Sequence, residues 1–314
     1  MTKVCEQCGD EFKTGNRNQK CCSRQCSMKN PERRHQLGNW KRESAVPLTP
    51  CPICGEGFRP STNRQISCSI KCGQEIMCQR VRDSGLDTFF FDHETPITAY
   101  WAGFIAADGS VDFSNDHCRL RIGLARKDRG HLEKFQKDIG AHHVKIRDYI
   151  NGRKEYLGSA LEFSNNDMKN GLKRWGIVPR KTYCGKPPRS VPLEILPHFV
   201  RGYIDGDGGA SLRDVKGRKS PEPIVDISCP RAMADWFSES SPIPSYTRSI
   251  YTKELDDGRE WEFCRVIWKG WKRVQPLLTW LEYESKTLPH LDRKQSAALD
   301  ILSLPSPKIG RPFK

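Results

Sequence analysis

A chain of 314 residues has room for two or three domains and a substantial core. Lys and Arg outnumber Asp and Glu by 52 to 38, a formal net charge of +14 that favours nucleic acid or an acidic surface as partner. No apolar run approaches the roughly 18 residues that span a bilayer, and residues 1–20 are polar where a signal peptide would be apolar. A cytoplasmic protein of a bacterial or phage-infected cell, with organellar or nuclear residence as the alternative and no membrane role, is therefore expected.

Fourteen cysteines could suggest a secreted disulfide scaffold, but eight of them fall into a spacing that suits metal. Cys5, Cys8, Cys22 and Cys26 follow C-x2-C-x13-C-x3-C, and Cys51, Cys54, Cys68 and Cys72 repeat that spacing unchanged. The two copies also share Gly9 with Gly55, Phe12 with Phe58 and Ser23 with Ser69. A C-x2-C knuckle brings two sulfurs onto one metal through a tight turn, which is why a glycine follows its second cysteine. The later pair projects from one helical turn, and four thiolates close a tetrahedral Zn²⁺ site with no open position for catalysis. Cys21 is an alternative to Cys22 that the second copy lacks. Modules of this size need the metal to fold. The reading is two structural zinc modules, residues 1–30 and 51–85, joined by a polar, proline-bounded linker at 31–50. They resemble small treble-clef or zinc-ribbon fingers. Their basic residues, among them Arg17, Lys20, Arg24, Arg33, Arg34, Lys41, Arg42, Arg59, Arg64, Lys71 and Arg80, suggest added nucleic-acid contact.

Next comes W-A-G-F-I-A-A-D-G at residues 101–109, a helix-length apolar run closed by Asp108 and Gly109. A turn at 114–117 leads into Cys118, Leu120, Ile122 and Leu124, which alternate with Arg119, Arg121 and Gly123 at the two-residue period of a half-buried strand. Leu132, Phe135 and Ile139 mark an amphipathic helix. A second hairpin runs through Val144, Ile146 and Tyr149, turns at Asn151-Gly152 and returns through Leu161 and Phe163. Met168, Leu172 and Trp175 mark a closing helix.

A second apolar run, V-R-G-Y-I-D-G-D-G at 200–208, repeats the first with its carboxylate, Asp207, in register. Ile224, Val225 and Ile227 mark a strand after the turn region at 213–223. Met233, Trp236 and Phe237 mark a helix. Tyr246, Arg248 and Ile250 lead to a turn at Asp257-Gly258, and Trp261, Phe263, Arg265 and Ile267 return. Trp271, Val274, Leu277, Leu278 and Leu281 mark a closing helix. The tryptophans and phenylalanines are expected in the core, and Cys184, Cys229 and Cys264 as buried thiols. His142-His143 reads as a strand or loop feature.

The small residues Ala102, Gly103 and Ala107, and Gly202 and Gly206, let two helix backbones approach closely. The terminal glycines suit a left-handed cap. If the two helices pack in parallel, Asp108 and Asp207 emerge side by side at negative helix ends and need a cation between them. Mg²⁺, held by carboxylates, water and phosphate oxygens, fits such a site.

Both runs resemble the LAGLIDADG motif of homing endonucleases, and the order of elements after each resembles that family from about residue 98 to about 302. The resemblance implies an α+β fold. Two pseudo-symmetric αββαββα halves, at 96–182 and 183–304, form a saddle for double-stranded DNA, with a basic tail at 305–314. It implies that Asp108 and Asp207, the eighth-position acids, bind Mg²⁺ and cut one strand each. At the sixth position copy one departs, with Ala106 where copy two keeps Asp205. A peripheral lysine assists in this family, and Lys127 is the candidate, with Arg231 at the corresponding place in copy two. The segment 178–182 resembles the basic linker between halves of single-chain members, and contributes Arg180 and Lys181 to DNA contact. Arg119, Arg121, Lys145, Arg147, Arg248 and Arg265 would line the saddle. The expected function is Mg²⁺-dependent double-strand cleavage by a monomer at a long, non-palindromic site. The alternative is a non-cleaving DNA- or RNA-binding protein, a transcription regulator or intron maturase, on the same scaffold.

Overall fold

The computed structural model describes residues 1–29, 47–62, 64–83, 85–114, 117–151, 156–217, 220–255, 258 and 260–306. Most of the linker at 31–50, with Arg33, Arg34, Lys41 and Arg42, and most of the basic tail at 305–314 lie outside these residues, as do Gly152 and Asp257 of the two expected turns. The chain divides into two compact units, Met1–Val81 and Arg82–Lys314. Among the described residues no helix is long and apolar enough to cross a membrane.

The first unit is one small motif built twice. In the first copy β1 (Thr2–Val4) and β2 (Glu11–Lys13) form an antiparallel hairpin, and α1 (Arg24–Lys29) follows. In the second, β3 (Thr49–Pro50) pairs with β4 (Gly57–Phe58), and α2 (Ile70–Asp83) follows. The knuckle glycines take the left-handed conformation that the tight turn demands, at φ 79° for Gly9 and 75° for Gly55.

The second unit opens with α3 (Pro96–Asp108). Thr95 caps it by accepting a hydrogen bond from the Thr98 N–H at 3.1 Å, and Pro96 sits where no helical N–H is needed. The chain passes from Asp108 directly into β5 (Gly109–Asp112), then β6 (Arg119–Ala125), α4 (Arg129–Asp138), β7 (Arg147–Asn151), β8 (Tyr156–Ser164) and α5 (Met168–Arg174). The four strands form an antiparallel sheet in the order β5-β6-β8-β7. A four-residue helix, α6 (Lys181–Cys184), lies in the link to the second half.

The second half repeats the order: α7 (Leu196–Asp207), β9 (Gly208–Arg213), β10 (Glu222–Pro230), α8 (Arg231–Ser240), β11 (Tyr246–Glu254), β12 (Glu260–Lys269) and α9 (Trp271–Trp280). Its sheet runs β9-β10-β12-β11, the same arrangement as the first. One further helix, α10 (Asp292–Ser303), has no counterpart among the sequence-derived elements. The residues before and within it bridge to the first half: Lys134 pairs with Asp292 at 2.5 Å, and Arg293 with Asp128 at 3.1 Å.

The halves meet along α3 and α7. A Cβ on Gly103 would lie 2.0 Å from the Phe199 carbonyl oxygen, and one on Gly202 would lie 1.9 Å from the Tyr100 carbonyl oxygen. Each glycine thus meets the residue three places before the other, so the contact has two-fold symmetry, and the approach of Gly206 to Ala107 nearer both C-terminal ends makes the helices run in parallel. Further along, a Cβ on Gly206 would lie 2.4 Å from Ala107 Cβ and 3.3 Å from the Asp108 nitrogen. Around this axis Tyr100, Trp101, Phe104, Ile105, Phe199 and Ile204 are buried, each large apolar side chain contributing roughly 1.5–3 kcal/mol.

The terminal motif glycines depart from the expected left-handed cap. Gly109 (φ −76°, ψ 164°) and Gly208 (φ −121°, ψ −162°) are extended and begin strands. They are glycine for want of room: a Cβ would lie 2.6 Å from Ile105 Cγ2 in one and 2.4 Å from the Asp226 carbonyl oxygen in the other. Of the three thiols expected inside, Cys229 and Cys264 are buried and Cys184 is exposed on its short helix.

Candidate nucleic-acid interface and metal centres

In each small module the four sulfurs, Cys5, Cys8, Cys22 and Cys26 or Cys51, Cys54, Cys68 and Cys72, lie within 4.8 Å of one another. The Cys8–Cys22 and Cys22–Cys26 sulfurs are 3.5 and 3.6 Å apart, and the Cys54–Cys68 and Cys68–Cys72 sulfurs 3.4 and 3.6 Å. Zn–S bonds of ~2.3 Å at tetrahedral angles put sulfurs about 3.8 Å apart, so both sets fit a Zn²⁺ ion and lie too far apart for disulfides. A backbone N–H from Cys22 holds the Cys5 thiol down to about 6, and N–H groups of Cys54 and Cys68 do the same for Cys51, while crowding by neighbouring sulfurs helps raise Cys8, Cys22, Cys54 and Cys68, so each metal-free cluster favours one thiolate. The alternative ligand Cys21 stands outside the cluster. It is buried, and its carbonyl accepts from Gln19 as the Ser67 carbonyl accepts from Gln65. Arg17, Lys20, Arg24, Arg59, Arg64, Lys71 and Arg80 are exposed.

In the larger unit Asp108 and Asp207 are the last residues of α3 and α7, on neighbouring helix ends. Their side chains reach solvent, but crowded protein walls surround them. Partial burial raises Asp108, opposed by Lys294 and Lys181. Burial and then the Asp108 charge push Asp207 up to about 6. Each acid feels the same two lysines. Lys181 Nζ donates to the Ala107 carbonyl at the end of α3. Lys294, buried, donates to the last carbonyls of α7: Ile204 at 2.9 Å, Asp205 at 2.6 Å and Gly206 at 2.9 Å. Lysines here satisfy orphan carbonyls and oppose the negative ends of the helices. Burial lowers the pKa of both lysines.

Sequence reasoning missed Lys294 altogether and gave Lys181 only a DNA contact. Lys127 sits in a short 3₁₀ turn, Arg126–Asp128, and is not among the charges that shift either acid. Arg231 is occupied by Asp235 at 2.9 Å and Glu262 at 3.2 Å.

The sixth-position acid is structural in its contacts. Asp205 is fully buried and accepts hydrogen bonds from the Tyr100 hydroxyl at 2.7 Å, the Tyr283 hydroxyl at 3.0 Å and the Leu291 N–H at 2.9 Å. Arg201, one turn earlier and also buried, lies over the Tyr283 ring at 4.7 Å and donates to the Glu282 carbonyl. Copy one has Ala102 and Ala106 at these two places.

Each sheet turns one face to its helices and leaves the other open. On β6, Leu120, Ile122 and Leu124 are buried while Arg119 and Arg121 are exposed and share Glu162 across the strands. Arg147 stands opposite Ala160, in the row of Gly123 on that same face, and exposed Lys145 lies just before β7. In the second sheet Arg248 stands opposite Arg265. Both line an open hollow of about 350 Å³ with Arg213, Lys216, Lys269 and the acids Asp214, Glu222 and Asp226. Arg180 forms a left-handed turn at φ 56°, just ahead of Lys181. The expectation of a core position fails for Phe89, which is exposed, and strand parity puts buried Trp261 and half-buried Phe263 on the open face with Arg265, where they pack against Tyr251. His142 and His143 are exposed in a loop.

No protein-family model matches the sequence, and no curated protein does. Among the solved structures that resemble the chain, the LAGLIDADG homing endonuclease I-GzeII in complex with its DNA target has 10% identity and a TM-score of 0.42, over 67% of this chain and 89% of that one. The homing endonuclease I-WcaI bound to its DNA recognition sequence has 11% and 0.40, over 68% and 91%. I-DmoI in complex with DNA and Ca has 16% and 0.39, over 65% and 97%.

Proposed function

We propose that this protein is a site-specific DNA endonuclease of the homing type that cuts both strands of a long, non-palindromic duplex. The observation that supports the reading is the two-fold contact of α3 with α7, which brings together the helix ends that carry Asp108 and Asp207, each leading into the edge strand of a sheet whose open face bears arginines. Two adjacent carboxylates that repel one another are a hard-oxygen donor set suited to Mg²⁺. When bound, the ion would activate water and stabilise the phosphate and leaving oxygen. Asp108 and Asp207 would hold it, and Lys181 and Lys294 would keep positive charge where phosphate charge accumulates, the part expected of Lys127. Arg119, Arg121, Lys145, Arg147, Arg180, Arg248 and Arg265 would contact phosphates and base edges. One chain supplies both acids, so a monomer suffices. The four-cysteine modules, with zinc, would extend the DNA contact through their exposed basic residues.

The buried contacts of Asp205 remove an objection, since the missing acid at Ala106 is then no missing metal ligand. The test is to select a binding site from a randomised duplex library with Ca²⁺ and then add Mg²⁺. Both strands should be cut, and Asp108→Asn and Asp207→Asn should each slow cutting at least ~100-fold. Tight Mg²⁺-independent binding without cutting, or undiminished cutting by either variant, would overturn the reading.

A further inference from the structure

The two lysines at the acids are held very differently. Lys294 belongs to the twelve-residue α10, whose Ala298 and Ile301 are fully buried, and it grips three carbonyls. Lys181 begins a helix of four residues, entered through the left-handed Arg180, whose carbonyl accepts from the Tyr183 and Cys184 N–H groups. A single turn of helix has too little backbone bonding to hold its own shape, so its side chains must be fixed from outside.

Tyr183 supplies such a tie. Its ring packs on Trp261 with centroids 5.0 Å apart, and Lys253 Nζ lies 5.8 Å from its centre. Trp261 is itself wedged against Tyr251 at 5.4 Å and Phe263 at 5.6 Å, and is buried although it stands on the open face of the sheet. A shift in strand register between Ser249 and Tyr251 sets Tyr251 opposite Phe263 and so completes the cluster. The Trp261 indole N–H has no hydrogen-bond partner, so this ring contributes packing surface at a polar cost. Tyr183 is 44% exposed, little burial for a tyrosine serving only as core.

We propose that Tyr183 is a positioning residue: by packing on Trp261 it pins the linker turn to the second sheet and so holds Lys181 against the end of α3, between the two acids. The proposal rests on the nuclease reading for its consequence, but the pinning can be tested without it. Competitive acetylation of the full-length, zinc-loaded protein across a pH series, read by peptide mass mapping, reports the titration and accessibility of Lys181, with Lys294 as internal reference. In the wild type Lys181 should be protected and titrate below a free lysine. Tyr183→Ala should raise its limiting reactivity about tenfold and return its titration toward the free value, with Lys294 unmoved. Tyr183→Phe keeps the ring and should behave as wild type. Unchanged Lys181 in Tyr183→Ala, or equal loosening of Lys181 and Lys294, would overturn the proposal.

The second arm uses the duplex selected above. Tyr183→Ala should lower the single-turnover cutting rate at saturation about tenfold with affinity within about twofold, and Tyr183→Phe should restore it. A full rate in Tyr183→Ala would overturn the positioning role. A wild type that never cuts would overturn the nuclease reading alone, since the labelling arm still decides the pinning.

Discussion

This chain contains two duplications, and they have kept different things. The four-cysteine modules agree closely at the knuckle: Cys5 N to Asp10 O and Cys51 N to Glu56 O are both 2.9 Å, as are Gly9 N to Cys5 O and Gly55 N to Cys51 O. The two halves of the larger unit agree closely at the axis, where Gly103 and Gly202 touch the opposing backbone, and diverge a few ångströms behind it. There Arg201 and Asp205 in one copy answer to Ala102 and Ala106 in the other. A module too small for a core of its own is constrained at its four sulfurs and its knuckle turn, because no neighbour can compensate for a lost one. A half that depends on its twin is constrained where they touch and is free to specialise elsewhere.

The largest expected effect separates the two regions. Stripping metal with a chelator should unfold both four-cysteine modules, since structural zinc contributes on the order of 10–16 kcal/mol to such folds, and should leave the unit beyond residue 82 folded. Protease mapping checks this, and simultaneous unfolding of both units would break the comparison. In the same assay Cys22→Ser should bind one zinc per chain and Cys21→Ser two. Next in size, Gly103→Val and Gly202→Val should each cost more than ~4 kcal/mol in denaturant unfolding, because the new side chain meets backbone that cannot yield. A marked inequality between them would show that the axis is less symmetric than its contacts.

Behind the axis, Asp205→Ala should cost about 3 kcal/mol by stranding two hydroxyls and an N–H, whereas Ala106→Ser should change little. Smallest is the charge at the acids. The Asp207 pKa is raised in the folded chain, so its contribution to stability is present at low pH and is lost as pH rises through about 6. Asp207→Asn should therefore stabilise the metal-free protein at pH 8 by ~1 kcal/mol, after allowance for solvent screening of an exposed group. Divalent-ion binding at the acids needs the opposite state and should fade as pH falls through about 6, which Mn²⁺ titration would show.

Much of this was legible in the sequence, and the parts that were not share a cause. Cysteine spacing, paired small residues and strand alternation are local signals, and they located the sulfur clusters, the helix crossing and the exposed faces of Arg119 and Arg121. Lys294 belongs to no motif. It matters because α10 folds back on the end of α7, a fact about tertiary placement that no short pattern records. The same holds for Asp205, which reads as a motif acid until its three buried donors are seen. Trp261 and Phe263 misled because aromatic residues usually mark the buried side of a strand, and here a covering turn makes a small second interior on the outer side.

The Tyr100–Asp205 hydrogen bond runs from one half to the other, and Phe199 stands where Tyr100 would be in a pairing of like halves. Two copies of the later half would therefore leave each aspartate short of a hydroxyl, while two copies of the earlier half would lack Lys294 on both sides. The two halves are thus complementary parts, each supplying a contact that the other lacks.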